Sequence, residues 1–193
     1  MKFLSTIVLS VLATTGLLYA QSYQGLEAVK LANALDGDSV SLDPKSSGPL
    51  VVVIFTSNTC PYAIKYENRI VELHQDYSQK DIQIFLINPN QGPEDSIEEM
   101  RSKARNSAYR FPYLKHDQQV FTDIFGPTRT PEVFLLKPVP NGFELIFTGA
   151  FDDNPQAGDD VENHYLRSAI DNSLKGKPLE YSSVRVTGCI IKG

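Results

Sequence analysis

Leu50-Val51-Val52-Val53-Ile54-Phe55-Thr56-Ser57-Asn58-Thr59-Cys60-Pro61-Tyr62-Ala63 is the stretch from which the rest of the chain can be read. The apolar, β-branched run at 50–56 has the length and composition of a strand buried on both faces. A short polar turn follows, and then a proline. Proline suits the first position of a helix, where its missing N–H costs nothing. Cys60 therefore sits where a buried strand hands over to a helix. Unpaired N–H groups and the helix dipole favour a thiolate there, and lower the thiol pKa. A thiol in that place has the chemistry of a nucleophile.

Downstream, Ala63, Tyr66, Ile70, Leu73 and Tyr77 recur at steps of three and four, giving a helix one apolar face. Ile82-Gln83-Ile84-Phe85-Leu86-Ile87 is the next strand, ended by the turn Asn88-Pro89-Asn90. Two strands joined by a helix of this length make a right-handed βαβ unit with parallel strands. Residues 96–107 read as a charged surface helix with Ile97, Met100 and Ala104 on one side, capped by Asp95 or Ser96. Phe111-Pro112-Tyr113-Leu114 is a short extended piece, and 118–125 a short helix stopped by Gly126-Pro127. Pro131 opens a strand, a position that proline tolerates. Asn141-Gly142 marks a hairpin turn to the returning strand at 143–147. The last helix is expected over 159–174, with Val161, Leu166, Ile170 and Leu174 facing the core. Upstream, Leu26 to Leu31 reads as a short strand or turn, and Ser39 to Leu42 as an edge strand. A parallel βαβ half followed by a hairpin and a helix is an α/β three-layer arrangement.

At the N-terminus, Met1-Lys2 precedes a run, 3–18, without charge, and Ala20 is a small residue suited to cleavage. This reads as a secretory signal peptide, residues 1–20, against the alternative of a single membrane anchor, and the expectation is an exported protein, periplasmic or extracellular. Residues 21–193 are enough for one domain with its own core. The formal charge is −5, with 18 basic against 23 acidic residues and no basic stripe, which argues against nucleic acid as a partner. After loss of the leader no segment is expected to span a membrane. The two cysteines, Cys60 and Cys189, form an even count in an oxidising compartment, which suggests pairing. Such a bond would close a loop of about 130 residues, worth on the order of 4–5 kcal/mol. A structural staple and a redox pair are both open on these grounds.

The order of elements, with Cys60-Pro61 at the first strand–helix junction and Thr130-Pro131 opening the hairpin, resembles a thioredoxin fold: a central mixed β-sheet flanked by helices, here with an N-terminal extension and a tail, 178–193, carrying Cys189. The stretches 55–62, 128–135 and 152–155, His164-Tyr165-Leu166 and 188–192 together resemble exported redoxin-domain proteins of the alkyl hydroperoxide reductase and thiol-specific antioxidant family, in its peroxiredoxin-like branch. The resemblance implies that Pro131 is cis and lies against Cys60, leaving the Thr130 backbone to face the sulfur and a substrate strand. The chain also departs from its relatives. Ala63 stands where thioredoxin-type enzymes have a second cysteine, so a C-x-x-C cycle is excluded. Ser57 stands where this branch often has a cysteine. Val53 replaces the proline of the peroxidase signature, which is thus half present.

Together these readings give Cys60 as redox nucleophile and Cys189 as its resolving partner. Pro61, Tyr62, Thr130 and Pro131 are the substrate-facing residues. Ser57, Thr59 and Arg129 are candidates to stabilise a thiolate, with Asn58 and Arg69 as further donors. His74, His116 and His164 have no metal spacing and read as structural. Asp152, Asp153 and Asn154 read as a turn. The expected activity is that of a thiol-disulfide oxidoreductase or a peroxiredoxin-like antioxidant protein. No cofactor and no metal is implied, and the expected partner is a thiol or disulfide protein or a peroxide. The alternative is a non-catalytic binding module with a structural Cys60–Cys189 bond.

Overall fold

The run that opens the chain's central stretch forms a strand, Val51–Phe55, whose five side chains are all fully buried. A computed structural model describes residues 21–116 and 119–191; the expected leader lies outside the described residues. Around this strand the elements run β1 Ser22–Tyr23, β2 Leu31–Asn33, β3 Ser39–Val40, β4 Val51–Phe55, α1 Pro61–Tyr77, β5 Gln83–Asn88, α2 Ile97–Asn106, β6 Tyr113–Lys115, α3 Val120–Phe125, β7 Arg129–Thr130, β8 Glu132–Val139, β9 Gly142–Gly149, α4 Tyr165–Leu174 and β10 Cys189–Ile190.

Among the described residues eight strands form one mixed sheet in the order β1-β9-β8-β4-β5-β6-β2-β3. β4, β5 and β6 are parallel, and β8 returns antiparallel to β4. β7 and β10 form a separate two-stranded ribbon. Because side chains alternate along a strand, β4 feeds two cores. Val52 and Ile54 pack with Tyr66, Ile70 and Leu73 of α1, Met100 of α2 and Leu166 and Ile170 of α4. Val51, Val53 and Phe55 pack on the other face with Phe121 and Phe125 of α3 and with Leu26 and Leu42 of the N-terminal segment. Complete burial of each such side chain is worth about 1.5–3 kcal/mol. This is the three-layer, thioredoxin-like architecture expected.

The α1 face expected from sequence, Ala63, Tyr66, Ile70, Leu73 and Tyr77, is the buried face. Ser96, not Asp95, caps α2, its hydroxyl accepting from the Glu99 amide at 3.4 Å. Residues 26–28 form a 3-10 turn rather than a strand. The piece ending in Tyr113-Leu114 is a full member of the sheet, parallel to β5.

The last helix is shorter than expected. It begins at Tyr165, and Gly158–Asp160 make only a 3-10 turn. Side chains of the preceding loop have taken the backbone groups that a helix would use. Asp153 accepts from the amides of Glu162 and Asn163, and Asn154 donates to the Asp160 carbonyl. Val161 is therefore only half-buried, and Leu174, at the far end, is 36% exposed rather than core.

Candidate active site

β4 carries the chain straight to the site. After Phe55 the Thr56 amide still donates to the Ile87 carbonyl at 2.8 Å, and then the backbone leaves the sheet. Cys60 is the N-cap of α1, extended at φ −70° and ψ 117°, with Pro61 at the first helical position. Its carbonyl accepts the first helical bond, from Ile64 at 3.0 Å. The side chain thus sits at the positive end of a 17-residue helix.

The turn between them, 57–59, is shaped by one buried carboxylate. Asp95 accepts from the Ser57 hydroxyl at 3.1 Å, the Asn58 amide at 2.7 Å, Asn88 Nδ2 at 2.8 Å and Asn90 Nδ2 at 3.2 Å. Ser57 Oγ in turn accepts from the Thr59 amide at 3.2 Å. The Asn58 side chain donates to the Glu94 carbonyl and accepts from the Tyr113 hydroxyl at 2.6 Å. Burial pushes the Tyr113 phenol far above its ordinary range, so it remains a donor. Ser57, Asn58 and Thr59 lie beside Cys60 in the chain, and their hydrogen bonds build the turn.

On the other side stands the Thr130–Pro131 peptide bond, which is cis. Glu132 fixes this corner: its carboxylate accepts from the Thr128 amide at 2.7 Å, the Thr128 hydroxyl at 3.1 Å and the Arg129 amide at 3.1 Å. The Thr130 carbonyl oxygen lies 3.1 Å from Cys60 Sγ. In the disulfide Sγ carries no proton, so this is a close approach and not a hydrogen bond.

Cys60 is bonded to Cys189, with a Cα–Cα distance of 5.9 Å. The tail reaches it as a strand. β10 runs antiparallel to β7 with Cys189 opposite Thr130 and Ile190 opposite Arg129. The Ile191 amide donates to the Thr128 carbonyl at 3.3 Å, and Arg129 Nη1 to the Gly188 carbonyl at 2.9 Å. Farther back, the Val184 amide donates to Thr148 at 3.0 Å, and Thr148 to Ser182 at 3.1 Å, which lays the tail along β9. Under this cover Cys60 is 3% exposed.

The structure therefore brings together Cys60, Cys189, Thr130, Pro131 and Arg129. Pro61 is exposed, and Tyr62 is half-buried on the first turn of α1. Arg69 pairs with Asp152 at 2.5 Å and donates to the Asn154 carbonyl at 2.9 Å. Tyr66 donates to the same carboxylate at 2.7 Å. Burial, then Asp152, hold the Tyr66 phenol protonated well above its usual range, against the opposing pull of Arg69. Asp152 also accepts from the Asn154 amide, so the expected turn is a turn, tied to α1. His116 accepts from the Phe121 amide at 2.7 Å, at the start of α3. Sequence reasoning gave Asp95 only as a possible helix cap, and gave Glu132 and Gly188 no role of their own at the site. An acid in a polar loop and a glycine in a tail carry no distinguishing pattern; only the Gly188-Cys189 adjacency was visible.

A model of the AhpC/TSA family matches residues 25–141, a stretch that holds Cys60 and Pro131 and stops short of Cys189. Comparison with curated proteins finds no significant match. Among solved structures, an uncharacterized conserved protein from Geobacillus kaustophilus is 30% identical, with a TM-score of 0.77 over 90% of this chain and 93% of its own. A hypothetical protein from Sinorhizobium meliloti is 31% identical, with a TM-score of 0.75 over 90% and 97%. The exposed lipoprotein thioredoxin of Streptococcus pneumoniae shares the fold at 14% identity, with a TM-score of 0.56 over 74% of this chain and 98% of its own.

Proposed function

We propose that this chain, which belongs to the AhpC/TSA family, is an exported thiol-disulfide oxidoreductase in which Cys60 is the nucleophile and Cys189 the resolving thiol. The observation that carries this reading is the tail itself: a strand of this chain, paired with the β7 edge, presents a cysteine sulfur to Cys60. That arrangement is the form of a disulfide-exchange complex, made within one chain. The apolar leader and the cysteine pair support export to the periplasm or beyond.

In the reduced protein the α1 terminus favours the Cys60 thiolate. It attacks one sulfur of a substrate disulfide. A Cys60–substrate bond forms, the substrate S–S bond breaks, and the departing sulfur leaves with the bonding pair and takes a proton. Cys189 then attacks Cys60 Sγ, the internal bond re-forms and the second substrate sulfur leaves as a thiolate. The substrate gains two electrons; the cysteine pair loses them. A thiol protein returns the electrons by opening the Cys60–Cys189 bond. Disulfide rather than peroxide is favoured as substrate by the strand-shaped edge beside Cys60, and by the Ser57 hydroxyl being engaged with Asp95.

The test is a kinetic trap. With a protein disulfide such as that of insulin as probe, Cys189→Ser protein accumulates a mixed disulfide at Cys60 detectable by mass spectrometry. Cys60→Ser protein accumulates none. A Cys60→Ser protein that reduces the probe as fast as the unaltered chain would contradict the assignment.

A further inference from the structure

We propose that the edge formed by Thr128, Arg129 and Thr130 docks an extended segment of another protein in which glycine immediately precedes the reacting cysteine, and that residues 188–191 of this chain hold that place in the oxidised form. The proposal rests on the thiol-exchange reading above and adds to it the class of substrate.

The shape of the occupant follows from the backbone. The tail is bound by strand pairing opposite Thr130 and Arg129 and by the Ile191 amide on Thr128. Bonds of this kind select an extended segment and not a sequence. Exclusivity follows from burial. With the tail seated, Sγ is bonded to Cys189 and Cys60 is 3% exposed, so a partner strand on this edge takes the tail's place. Tail and substrate are alternative occupants of one edge.

Selection follows from Gly188. A Cβ built there would lie 2.3 Å from the Thr130 carbonyl oxygen and 2.8 Å from its carbon. These are backbone atoms of a fully buried residue, at a corner that Glu132 holds, so they do not give way. A strand in the same register with alanine or anything larger before its cysteine collides. A glycine seats, and its carbonyl takes the Arg129 guanidinium as Gly188 does. The position after the cysteine is read weakly, because Ile190 is 67% exposed. The recognised unit is an extended Gly-Cys pair.

The chemistry is the exchange already written, with the Gly-Cys sulfur as the atom that Cys60 attacks. Resolution then becomes a strand exchange. Cys189 attacks Cys60 Sγ as residues 188–191 reseat on the edge, the internal S–S bond forms, and the substrate cysteine leaves as a thiolate.

The experiment uses the full chain with Cys189→Ser. The probes are two blocked pentapeptides, Val-Thr-Gly-Cys-Ile and Val-Thr-Ala-Cys-Ile, each joined through its cysteine to thionitrobenzoate. Attack by Cys60 at the peptide sulfur yields the protein–peptide disulfide, measured by mass spectrometry, and releases coloured thionitrobenzoate. The retained tail competes with both peptides alike, so the ratio of rates reports the site. The Gly-Cys peptide is expected to react at least about tenfold faster, since discrimination here comes from a clash built against the larger residue. Equal rates, with Cys60 still reactive toward dithionitrobenzoate, would overturn the proposal and leave the thiol-exchange reading standing. A Cys60 inert to every probe would overturn both. In a second variant, Gly188→Ala, the same collision is expected to leave a larger fraction of free thiols than the unaltered chain in one glutathione buffer. A Gly188→Ala bond as resistant to reduction as the native one would contradict the steric argument. Covalent dimers joining Cys60 to Cys189 of a second copy, as the main oxidised product, would also overturn it by assigning the edge to self-association.

Discussion

Arg129 separates two roles that a cation near a sulfur can play. Directed at the sulfur, it would stabilise the Cys60 thiolate and so the reduced protein. In the oxidised form it donates to the Gly188 carbonyl at 2.9 Å and holds the tail. The two roles have opposite signs. Loss of a thiolate partner makes the disulfide harder to reduce and raises the Cys60 pKa. Loss of a tail clamp makes it easier to reduce. A hydrogen bond from a charged group contributes about 1.5–3 kcal/mol, or about 30–65 mV for a two-electron couple. Arg129→Ala is therefore expected to move the midpoint of the Cys60–Cys189 couple to a less negative value by about that amount, with the Cys60 pKa little changed. A shift to a more negative midpoint, with a raised thiol pKa, would return Arg129 to the thiolate.

The turn at 57–59 shows how an element far away in sequence shapes a site. Asp95 gathers four donors from β5, its following loop and the β4–α1 turn. Asp95→Ala would strip these buried donors of their acceptor, at a cost of about 2–4 kcal/mol. Urea unfolding should show that loss. An Asp95→Ala protein as stable as the unaltered chain would show that water replaces the carboxylate. This network was not legible in the sequence, because Asp95 meets Asn58 across 37 positions and looks like any acid in a polar loop. What was legible was local. The β-branched run, Pro61 and the three-and-four spacing of α1 place Cys60 at a helix N-cap without any tertiary knowledge. The end of the sequence shows the same divide. Leu166 and Ile170 could be read as a buried face, while the start of α4 could not, since Asp153 and Asn154 take the backbone groups of 160–163.

At the scale of the molecule, a sheet with two cores carries a tail that crosses its edge and ends at the site. Along the way Gly149, at φ +132°, lets Val184 approach; a Cβ there would lie 2.0 Å from the Val184 carbonyl oxygen. The buried tyrosines of both cores give the fold a pH limit. Burial, then Glu132, raises the Tyr23 phenol to about 12, and burial, then Asp171, raises Tyr77 to about 12. Tyr66, Tyr109 and Tyr113 are raised further, each first by burial. The folded chain thus holds these protons more tightly than the unfolded chain does. Their contribution is intact below the ordinary value of 10.0 and is lost as pH rises through the folded values. Unfolding above about pH 10 is expected to coincide with a cooperative rise in tyrosinate absorbance. A gradual rise centred on the ordinary tyrosine value, with the fold intact, would contradict this burial.

The proposed function rests on the tail, and the redox midpoint of its bond is the most direct test. Purified protein equilibrated across a glutathione series would be mapped by non-reducing peptide mass spectrometry. A catalytic pair opens within the range of exchange disulfides, near roughly −200 mV, and that is the result expected for Cys60–Cys189. A bond still closed beyond roughly −300 mV, in the range of structural disulfides, would make Cys189 a staple and the molecule a binding module.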